Sequence, residues 1–170
     1  MVSKEGVKVS SGGKKTALFF AAAAIVAVLG LIVFYVFFSP KALYKRSLIK
    51  GVRAFEQKNE KRFADLISAR YTDPGGNTMM ELLNAAAALN ARYDKNKVVF
   101  SEIDVELLGR NTARLKVSAT IYCKSGKETY RMKSDEPMEI LMAREQDGRR
   151  RIISINGLDF SIKNVGESIF

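Results

Sequence analysis

The sequence contains no histidine, no tryptophan and only one cysteine, Cys123. A single cysteine cannot form a disulfide within the chain, and without histidine no Cys/His zinc cluster can be built. The commonest general base of enzymes is also missing, so any acid–base chemistry would depend on carboxylates or tyrosines. We therefore predict no metal site and no cofactor, and we expect Cys123 to pack as a small apolar residue in a strand.

Other signatures of known chemistry are missing as well. The sequence has no phosphate-binding glycine loop, no nucleophile elbow and no metal-binding motif. It also has no aromatic and basic RNA-binding motif and no zinc-finger spacing. These absences predict that the chain is not an enzyme and does not bind nucleic acid.

Positive charge, in contrast, is abundant, and the net charge of the chain is +10. Four lysines and one glutamate precede Thr16, and the rest of the chain carries 24 basic and 17 acidic residues. Such an excess favours an anionic neighbour, for example lipid head groups. Because the basic residues are interspersed with acidic ones, a solvated surface is the alternative interpretation.

Residues 16–38 form a run of 23 residues without a charge. A helix rises about 1.5 Å per residue, so this run is long enough to cross a hydrocarbon core of about 30 Å. It is longer than the apolar region of a signal peptide and does not end in a small-x-small cleavage site. Because an uncleaved signal-anchor leaves its short tail in the cytoplasm, we predict a single-pass membrane protein. Its parts are a basic cytoplasmic tail at 1–15, a transmembrane helix at 16–38, and an extracytoplasmic (periplasmic) domain at 39–170.

The first part of this domain has helical periodicity. Apolar residues recur three or four positions apart between Tyr44 and Phe55, which predicts an amphipathic helix over residues 41–57. The pair Lys58-Asn59 marks its end, because asparagine tolerates a left-handed cap. The basic side chains of this helix follow directly on the predicted anchor, and we expect them near the membrane: Lys41, Lys45, Arg46, Lys50 and Arg53.

Two further helices are predicted before the pattern changes. Phe63, Leu66 and Ile67 indicate a short second helix, and residues 71–76 have the composition of a turn. Thr78 and Glu81 have the spacing of a capping box, which predicts a third helix that ends near Tyr93.

Beyond Lys97 the apolar residues alternate with polar ones, which predicts strands. In the first strand the apolar face consists of Val99, Ile103, Val105 and Leu107. If Leu108 lies opposite Thr112 in the next strand, acidic residues 104 and 106 face basic residues 116 and 114, and apolar residues face each other. A third strand is predicted over 128–145, with a bulge or edge position at Pro137, and a fourth over 151–159.

Helices followed by strands predict an α+β fold in which three helices pack on one face of an antiparallel four-stranded sheet. The segments Tyr71-Thr72-Asp73-Pro74-Gly75 and Asp147-Gly148-Arg149-Arg150-Arg151-Ile152 resemble features of the nuclear transport factor 2-like superfamily. The similarity covers residues 41 to 160, and it implies the cone-shaped, cystatin-like roll of that superfamily. Arg150 stands where the family usually has tryptophan.

The resemblance implies that a ligand pocket would lie inside the cone. Apolar and aromatic residues that could line it, together with tyrosines and a carboxylate for acid–base chemistry, are Phe55, Phe63, Tyr71, Asp73, Met80 and Tyr93. The alternative is that Asp73 caps a turn and the tyrosines belong to the core. The acidic residues 102, 104 and 106 are too far apart along a strand for one ion, and we interpret them as an exposed, salt-bridged face.

Three functions remain compatible with these patterns. The first is a non-catalytic interaction module of an envelope complex, held at the membrane beside a partner protein or a second copy of the chain. This role is implied by the resemblance to membrane-tethered members of the roll. The second is a binder, or less readily an enzyme, for a small apolar ligand in the cone. The third is docking of the basic first helix on anionic lipid.

Overall fold

The fold is given by a computed structural model that describes residues 25–30, 34, 39–134, 136–157 and 161–164. The chain divides into two compact units, Met1–Ser39 and Pro40–Phe170. Most of the predicted transmembrane segment, 16–38, lies outside the described residues, and so does the predicted tail, 1–15. The described positions 25–30 and 34 are helical. Within the described part of the chain, no helix is both long enough and apolar enough to cross a membrane.

The second unit begins with the amphipathic helix expected from the sequence. Helix α1 spans Pro40–Glu56, and its buried side chains include Tyr44, Leu48 and Phe55. These positions form one stripe of the helix, because residues three and four apart share a face. The prediction of a helix over residues 41–57 is confirmed.

The break after α1 differs in detail from the expected one. Lys58 adopts the left-handed conformation, with φ of 55°, and its Nζ donates a hydrogen bond to the backbone oxygen of Tyr93 at 2.8 Å. Asn59 instead caps the next helix, α2 (Glu60–Ala64), by accepting a hydrogen bond from the Arg62 backbone nitrogen. Helix α2 ends before Leu66, so the predicted second helix is shorter than the apolar pattern indicated.

The turn and the third helix follow the sequence closely. Gly76 has φ of 82°, a conformation that glycine adopts without a steric penalty. Helix α3 spans Met79–Arg92 and opens with the predicted capping box. The backbone nitrogen and the hydroxyl of Thr78 both donate to the Glu81 carboxylate, at 2.6 and 2.9 Å. These hydrogen bonds lower the pKa of Glu81.

The sheet has more strands than predicted, and the expectation of a four-stranded meander is wrong. Six antiparallel strands form one sheet, and their bounds are β1 Lys95–Leu107, β2 Thr112–Ser125, β3 Glu128–Lys133, β4 Met138–Arg144, β5 Arg150–Asn156 and β6 Ser161–Asn164. The strand predicted over 128–145 is two strands. One half of β2 pairs with β3, which ends at Lys133, and the other half pairs with β4, which begins at Met138. The strand predicted over 151–159 is β5, which ends at Asn156, and β6 was not predicted.

The β1–β2 hairpin has the predicted register. Glu106 lies opposite Arg114, Asp104 opposite Lys116 and Val105 opposite Leu115. A bulge between Phe100 and Glu102 shifts the alternation in the first half of β1. There, residues 98 and 100 pack against the core, whereas Val99 is exposed, so its predicted place on the apolar face is wrong. An extra residue in one strand reverses which side chains face inward, because the pleat repeats every two residues.

Two apolar clusters lie between the helices and the sheet. The larger one joins α1 to the inner face of β2, β4 and β5, and at its centre Leu115 and Met142 are fully buried. The smaller one contains Tyr93, Cys123 and Met132. Cys123 is fully buried in β2, as predicted, and burial raises the pKa of its thiol to about 11. A thiol that stays protonated at neutral pH is a poor nucleophile.

The segment after α2 runs along the free edge of β5. The Ser68 backbone nitrogen donates to the Ile152 oxygen, and the Ile152 nitrogen donates to the Leu66 oxygen, at 2.9 and 2.8 Å. A parallel bridge joins Ile67 and Ile152. The segment therefore covers the edge of the sheet and fixes Leu66 beneath α1.

Gly51 allows this close approach of Leu66 to α1. A Cβ atom at Gly51 would lie 2.0 Å from Leu66 Cδ2 and 2.9 Å from its Cβ. Alanine favours a helix over glycine by about 1 kcal/mol, but the steric conflict is larger, because the Cβ atom of Leu66 cannot rotate away. We expect Gly51→Ala to lower the free energy of unfolding by about 1–3 kcal/mol in urea denaturation.

The matched control for this substitution is Gly109→Ala, because nothing lies within 4 Å of a Cβ atom at Gly109. We expect it to change the free energy of unfolding by less than about 0.5 kcal/mol. Equal effects of the two substitutions would mean that Leu66 does not require a glycine beside it.

Candidate functional site

Three of the six predicted pocket residues come together. Phe55 from the end of α1, Phe63 from α2 and Met80 from α3 line one cavity of about 350 Å³, which we call the helix groove. The rings of Phe55 and Phe63 lie 5.7 Å apart at an angle of 50°. This tilted arrangement is a favourable one for aromatic pairs. The helix groove lies between helices, whereas the prediction placed a pocket inside the cone.

The helix groove is lined by both apolar and polar side chains. Leu83 and Ala87 of α3 add apolar surface, and Asn84 and Lys61 are among its polar residues. Met80 is 63 % exposed although its neighbours in the helix groove are apolar. Residues Ala85 to Ala88 of α3 are four consecutive alanines. Their small side chains leave space that larger side chains would fill. The geometry suits an apolar group that enters from solvent.

The other three predicted pocket residues lie elsewhere and apart. Tyr71 belongs to the larger apolar cluster and Tyr93 to the smaller one. Asp73 sits in the exposed turn, where its carboxylate accepts hydrogen bonds from the backbone and side-chain nitrogens of Asn77, at 2.9 and 2.8 Å. These bonds, the side-chain one above all, lower the pKa of Asp73. The turn-capping interpretation of Asp73 is confirmed.

Two tyrosines, Tyr44 and Tyr71, are buried in the larger apolar cluster. Within the described part of the chain, the Tyr71 hydroxyl has no hydrogen-bond partner. Burial, and secondly the charge of Asp73, raises the pKa of Tyr71 to about 12. Burial also raises the pKa of Tyr44, against the opposing effect of Arg150. Both phenols are therefore protonated at neutral pH, so they could donate a hydrogen bond but would be weak general bases.

The five basic residues of α1 are divided between different surroundings. Lys50 and Arg53 line a cavity of about 600 Å³ between α1, α2 and the start of β5, which we call the basic groove. Lys41 lines a separate cavity beside Asp104 and Glu106. Lys45 is exposed and belongs to neither cavity, and Arg46 is partly buried.

A polar cluster, which we call the clasp, joins the segment after α2 to the β4–β5 hairpin. Buried Ser68 donates through its Oγ to Glu145 at 2.6 Å. The Arg151 guanidinium pairs with Glu145 and donates to Asp147 at 2.6 Å, and its Nε donates to the Asp65 backbone oxygen at 3.1 Å. The hydrogen bond from Ser68, and secondly the one from Arg151, lowers the pKa of Glu145. The clasp holds the walls of the basic groove together.

The acidic residues 102, 104 and 106 of β1 are exposed, as predicted, and one of them forms an ion pair. Glu106 forms a salt bridge with Arg114 at 3.6 Å across the hairpin, and both side chains are well exposed. Among the residues that the structure describes, no group of three or more carboxylate or cysteine side chains is placed to hold a metal ion.

Sequence reasoning missed three residues that long-range packing brings to the basic groove. Arg62, Arg149 and Arg150 join Lys50 and Arg53 in the basic groove, although up to 100 positions separate them in the chain. The run of three arginines after Gly148 was a visible signal of concentrated charge. Its proximity to α1 depends on the pairing of the segment after α2 with β5 and could not be read from spacing.

The fold matches that of proteins of the nuclear transport factor 2-like superfamily. A hexachlorocyclohexane dehydrochlorinase, LinA-type3, from Novosphingobium barchaimii matches with a TM-score of 0.59 and 12 % identity, over 78 % of this chain and 94 % of that one. A protein proposed to be a scytalone dehydratase from Novosphingobium aromaticivorans matches with a TM-score of 0.58 and 10 % identity, over 74 % and 88 %.

A nuclear transport factor 2-like superfamily protein from Salmonella enterica matches with a TM-score of 0.55 and 9 % identity, over 68 % of this chain and 85 % of that one. The sequence matches no protein-family model and no curated protein. The predicted superfamily resemblance is therefore supported at the level of the fold, an α+β roll with a curved antiparallel sheet.

These matches overturn one prediction from the sequence. The prediction that the chain is not an enzyme is wrong, because proteins of the same fold include a dehydrochlorinase and a protein proposed to be a dehydratase. The lack of histidine was weak ground for that prediction, since carboxylates and tyrosines can also transfer protons. One fold hosts many functions, so these matches leave the reaction class open.

Proposed function

We propose that this chain is a membrane-anchored interaction domain on the extracytoplasmic side, which joins an envelope assembly by taking an apolar side chain of a partner protein into the helix groove. The observation that carries the proposal is the convergence of Phe55, Phe63 and Met80, from three different helices, on one groove. Aromatic residues and methionine, which line this groove, are enriched in the buried parts of protein interfaces. An apolar groove between helices is also a common site for a partner helix.

The anchor rests on the uncharged run at 16–38 and on the described residues within it. Ile25, Val26, Val28, Leu29 and Phe34 are each more than half exposed. Exposed apolar side chains on a helix are costly in water and favourable in lipid. Anchoring would hold the domain near its partner and raise the effective concentration of the helix groove.

The surface of the sheet supports placing the interface on the helices. An interface on the outer sheet face would need an exposed apolar patch there. Around β1 and β2 that face instead carries charged pairs such as Glu106 with Arg114. Met80, which lines the helix groove, is more exposed than the apolar side chains Val99, Leu107 and Leu108 of the β1–β2 hairpin.

A small apolar molecule in the same groove is the second candidate. The helix groove has a volume of about 350 Å³, which lies at the lower end of the range of about 300–1,000 Å³ for ligand sites. A ligand of this kind would make the domain a carrier or would bring a substrate to it. The experiment below separates the two candidates.

The test is a purification of the full-length tagged chain from its own cells in mild detergent, with mass spectrometry of the proteins and small molecules that it retains. The decisive variant is Ala87→Phe, because Ala87 lines the helix groove and a phenyl ring would fill it. The matched control is Ala88→Phe, an exposed neighbour on the same helix that does not line the groove.

We expect a stoichiometric envelope protein with the original chain and with Ala88→Phe, and its loss by about tenfold or more with Ala87→Phe. Loss of a retained apolar compound in place of a protein would establish the second candidate. If both variants retain the same molecules as the original chain, the helix groove is not the binding site. Recovery of the chain in the aqueous fraction without detergent would refute the anchor.

A further inference from the structure

The basic groove has no role in the proposed function, and one sign of charge dominates its lining. It lies between α1 and α2 at the start of β5 and has a volume of about 600 Å³. Five of the residues that line it are basic and one is acidic: Lys50, Arg53, Arg62, Arg149, Arg150 and Asp65. A concave surface lined by one sign of charge concentrates ions of the opposite sign.

The single carboxylate of the basic groove is already neutralised. Asp65 Oδ1 lies 3.3 Å from Arg149 Nη1, and Arg149 also lies 3.7 Å from Asp147. Of the other basic residues, Lys50, Arg53 and Arg62 have no carboxylate oxygen within 4.0 Å in the described part of the chain. Their mutual repulsion would be relieved by an anion that occupies the groove.

Arg150 adds an independent observation. Its guanidinium lies over the ring of Tyr44, with 5.2 Å between the guanidinium carbon and the ring centroid. Its Nε is buried and has no hydrogen-bond partner within the described residues. A buried donor without an acceptor costs free energy, and a cation–π contact restricts the guanidinium to the face of the ring. Both features are typical of an arginine in a binding site for an acidic ligand.

The side chains indicate the chemical class of this ligand. Arginine presents a planar fork of donors that matches the oxygens of a phosphate group, and it binds phosphate more directionally than lysine does. Several arginines around one cavity suit a doubly charged group better than a single carboxylate. Gly51, Ala54 and Leu66 provide an apolar part of the wall, which suits an organic substituent on the phosphate.

We propose that the basic groove binds the phosphate group of an organic phosphate, carried either by a free small molecule or by an anionic lipid head group. Lys50, Arg53 and Arg62 supply the attracting charge, and Arg150, held against the Tyr44 ring, supplies a guanidinium. The site is separate from the helix groove, so it stands or fails independently of the proposed partner protein.

The experiment compares two double variants of the full-length chain in nonionic detergent. Lys50→Gln/Arg53→Gln removes two charges from the wall of the basic groove. Lys41→Gln/Lys45→Gln removes two charges from exposed positions of the same helix outside it. All four positions are exposed, so both variants should fold, and circular dichroism and the midpoint of thermal unfolding check this.

Binding is measured with two probes, which distinguish the two sources of phosphate. Isothermal titration with inorganic pyrophosphate represents the free ligand. Titration with mixed micelles that contain phosphatidic acid, compared with phosphatidylcholine alone, represents the lipid head group. Lost charge-assisted hydrogen bonds predict that Lys50→Gln/Arg53→Gln weakens binding by about tenfold or more, and that Lys41→Gln/Lys45→Gln weakens it by less than about threefold.

Saturable binding of pyrophosphate that follows this order supports a free organic phosphate. Binding of phosphatidic acid alone, with the same order of variants, supports the lipid head group. If neither probe binds the original chain, or if both double variants lose affinity equally, the interaction is non-specific attraction to net charge and the proposal is overturned.

Discussion

Replacing Arg151 by glutamine is expected to lower the free energy of unfolding by about 1–3 kcal/mol, because it leaves the partly buried Glu145 carboxylate without its cation. Arg151 is only 15 % exposed and Glu145 19 % exposed in their side chains. The substitution removes the pairing with Glu145 and the hydrogen bonds to Asp147 and to the Asp65 backbone. The measurement is urea denaturation of the full chain in mild detergent, followed by far-ultraviolet circular dichroism.

Arg149→Gln is the matched control, because the two arginines are near neighbours and differ mainly in burial. Arg149 is 59 % exposed and forms ion pairs only at the surface, with Asp65 and Asp147. Exposed ion pairs contribute less than about 1 kcal/mol, so we expect a small effect. If Arg149→Gln destabilised the chain as much as Arg151→Gln, net charge would explain the loss and the clasp would not.

The pH dependence of stability gives the clasp a second signature. The hydrogen bond from Ser68 and the pairing with Arg151 lower the pKa of Glu145 in the folded state. A carboxyl group whose pKa is lowered by folding stabilises the fold above its ordinary pKa of about 4.3, and this stabilisation is lost as the pH falls through the folded value. The difference in stability between the original chain and Arg151→Gln should therefore be full at pH 7 and shrink in acid. A difference independent of pH would contradict this account.

Leu115→Ala is expected to cost about 2–5 kcal/mol, the largest effect of any single substitution considered for this fold. Leu115 is fully buried at the centre of the larger apolar cluster, where its strand pairs with β1 through Val105 and with β4 through Ile140. Truncation removes apolar contacts from three strands at once and leaves a cavity. Domains of this size are stable by about 5–15 kcal/mol, so the loss would be a large fraction of the total.

Leu108→Ala is the matched control, because it makes the same chemical change at an exposed position. Leu108 follows β1 at the hairpin turn and is 45 % exposed. We expect a cost below about 1 kcal/mol, measured as a shift in the urea midpoint at constant slope. A larger loss at Leu108 than at Leu115 would show that the turn, and not the face of the sheet towards α1, dominates the stability of this domain.

Local patterns in the sequence were sufficient to predict the two longer helices and the register of the first hairpin. The stripe from Tyr44 to Phe55 predicted α1, and the capping box at Thr78 predicted the start of α3. The register of β1 with β2 followed from matching charges and apolar residues across one turn. Each of these features depends on residues close together in the chain, where periodicity and capping operate.

The strands after β2 could not be predicted in the same way. Whether residues 128–145 form one strand or two depends on which half of β2 they pair with, and this is a long-range choice. The bulge between Phe100 and Glu102 is a similar case. It reverses the face of the sheet on which the Val99 side chain lies, and the sequence pattern does not indicate it. Of the six predicted pocket residues, Phe55, Phe63 and Met80 line the helix groove, and Tyr71, Asp73 and Tyr93 lie elsewhere.

The sequence by itself determined an α+β domain preceded by an apolar segment, because hydrophobic periodicity and length are local properties of the chain. Only the tertiary structure decided where the two grooves lie. Pairing of the segment after α2 with β5, fastened by Arg151 and Glu145, brings Arg149 and Arg150 beside Lys50 and Arg53. Sites of this kind are built from residues far apart in sequence, and their proximity depends on the packing of the whole domain.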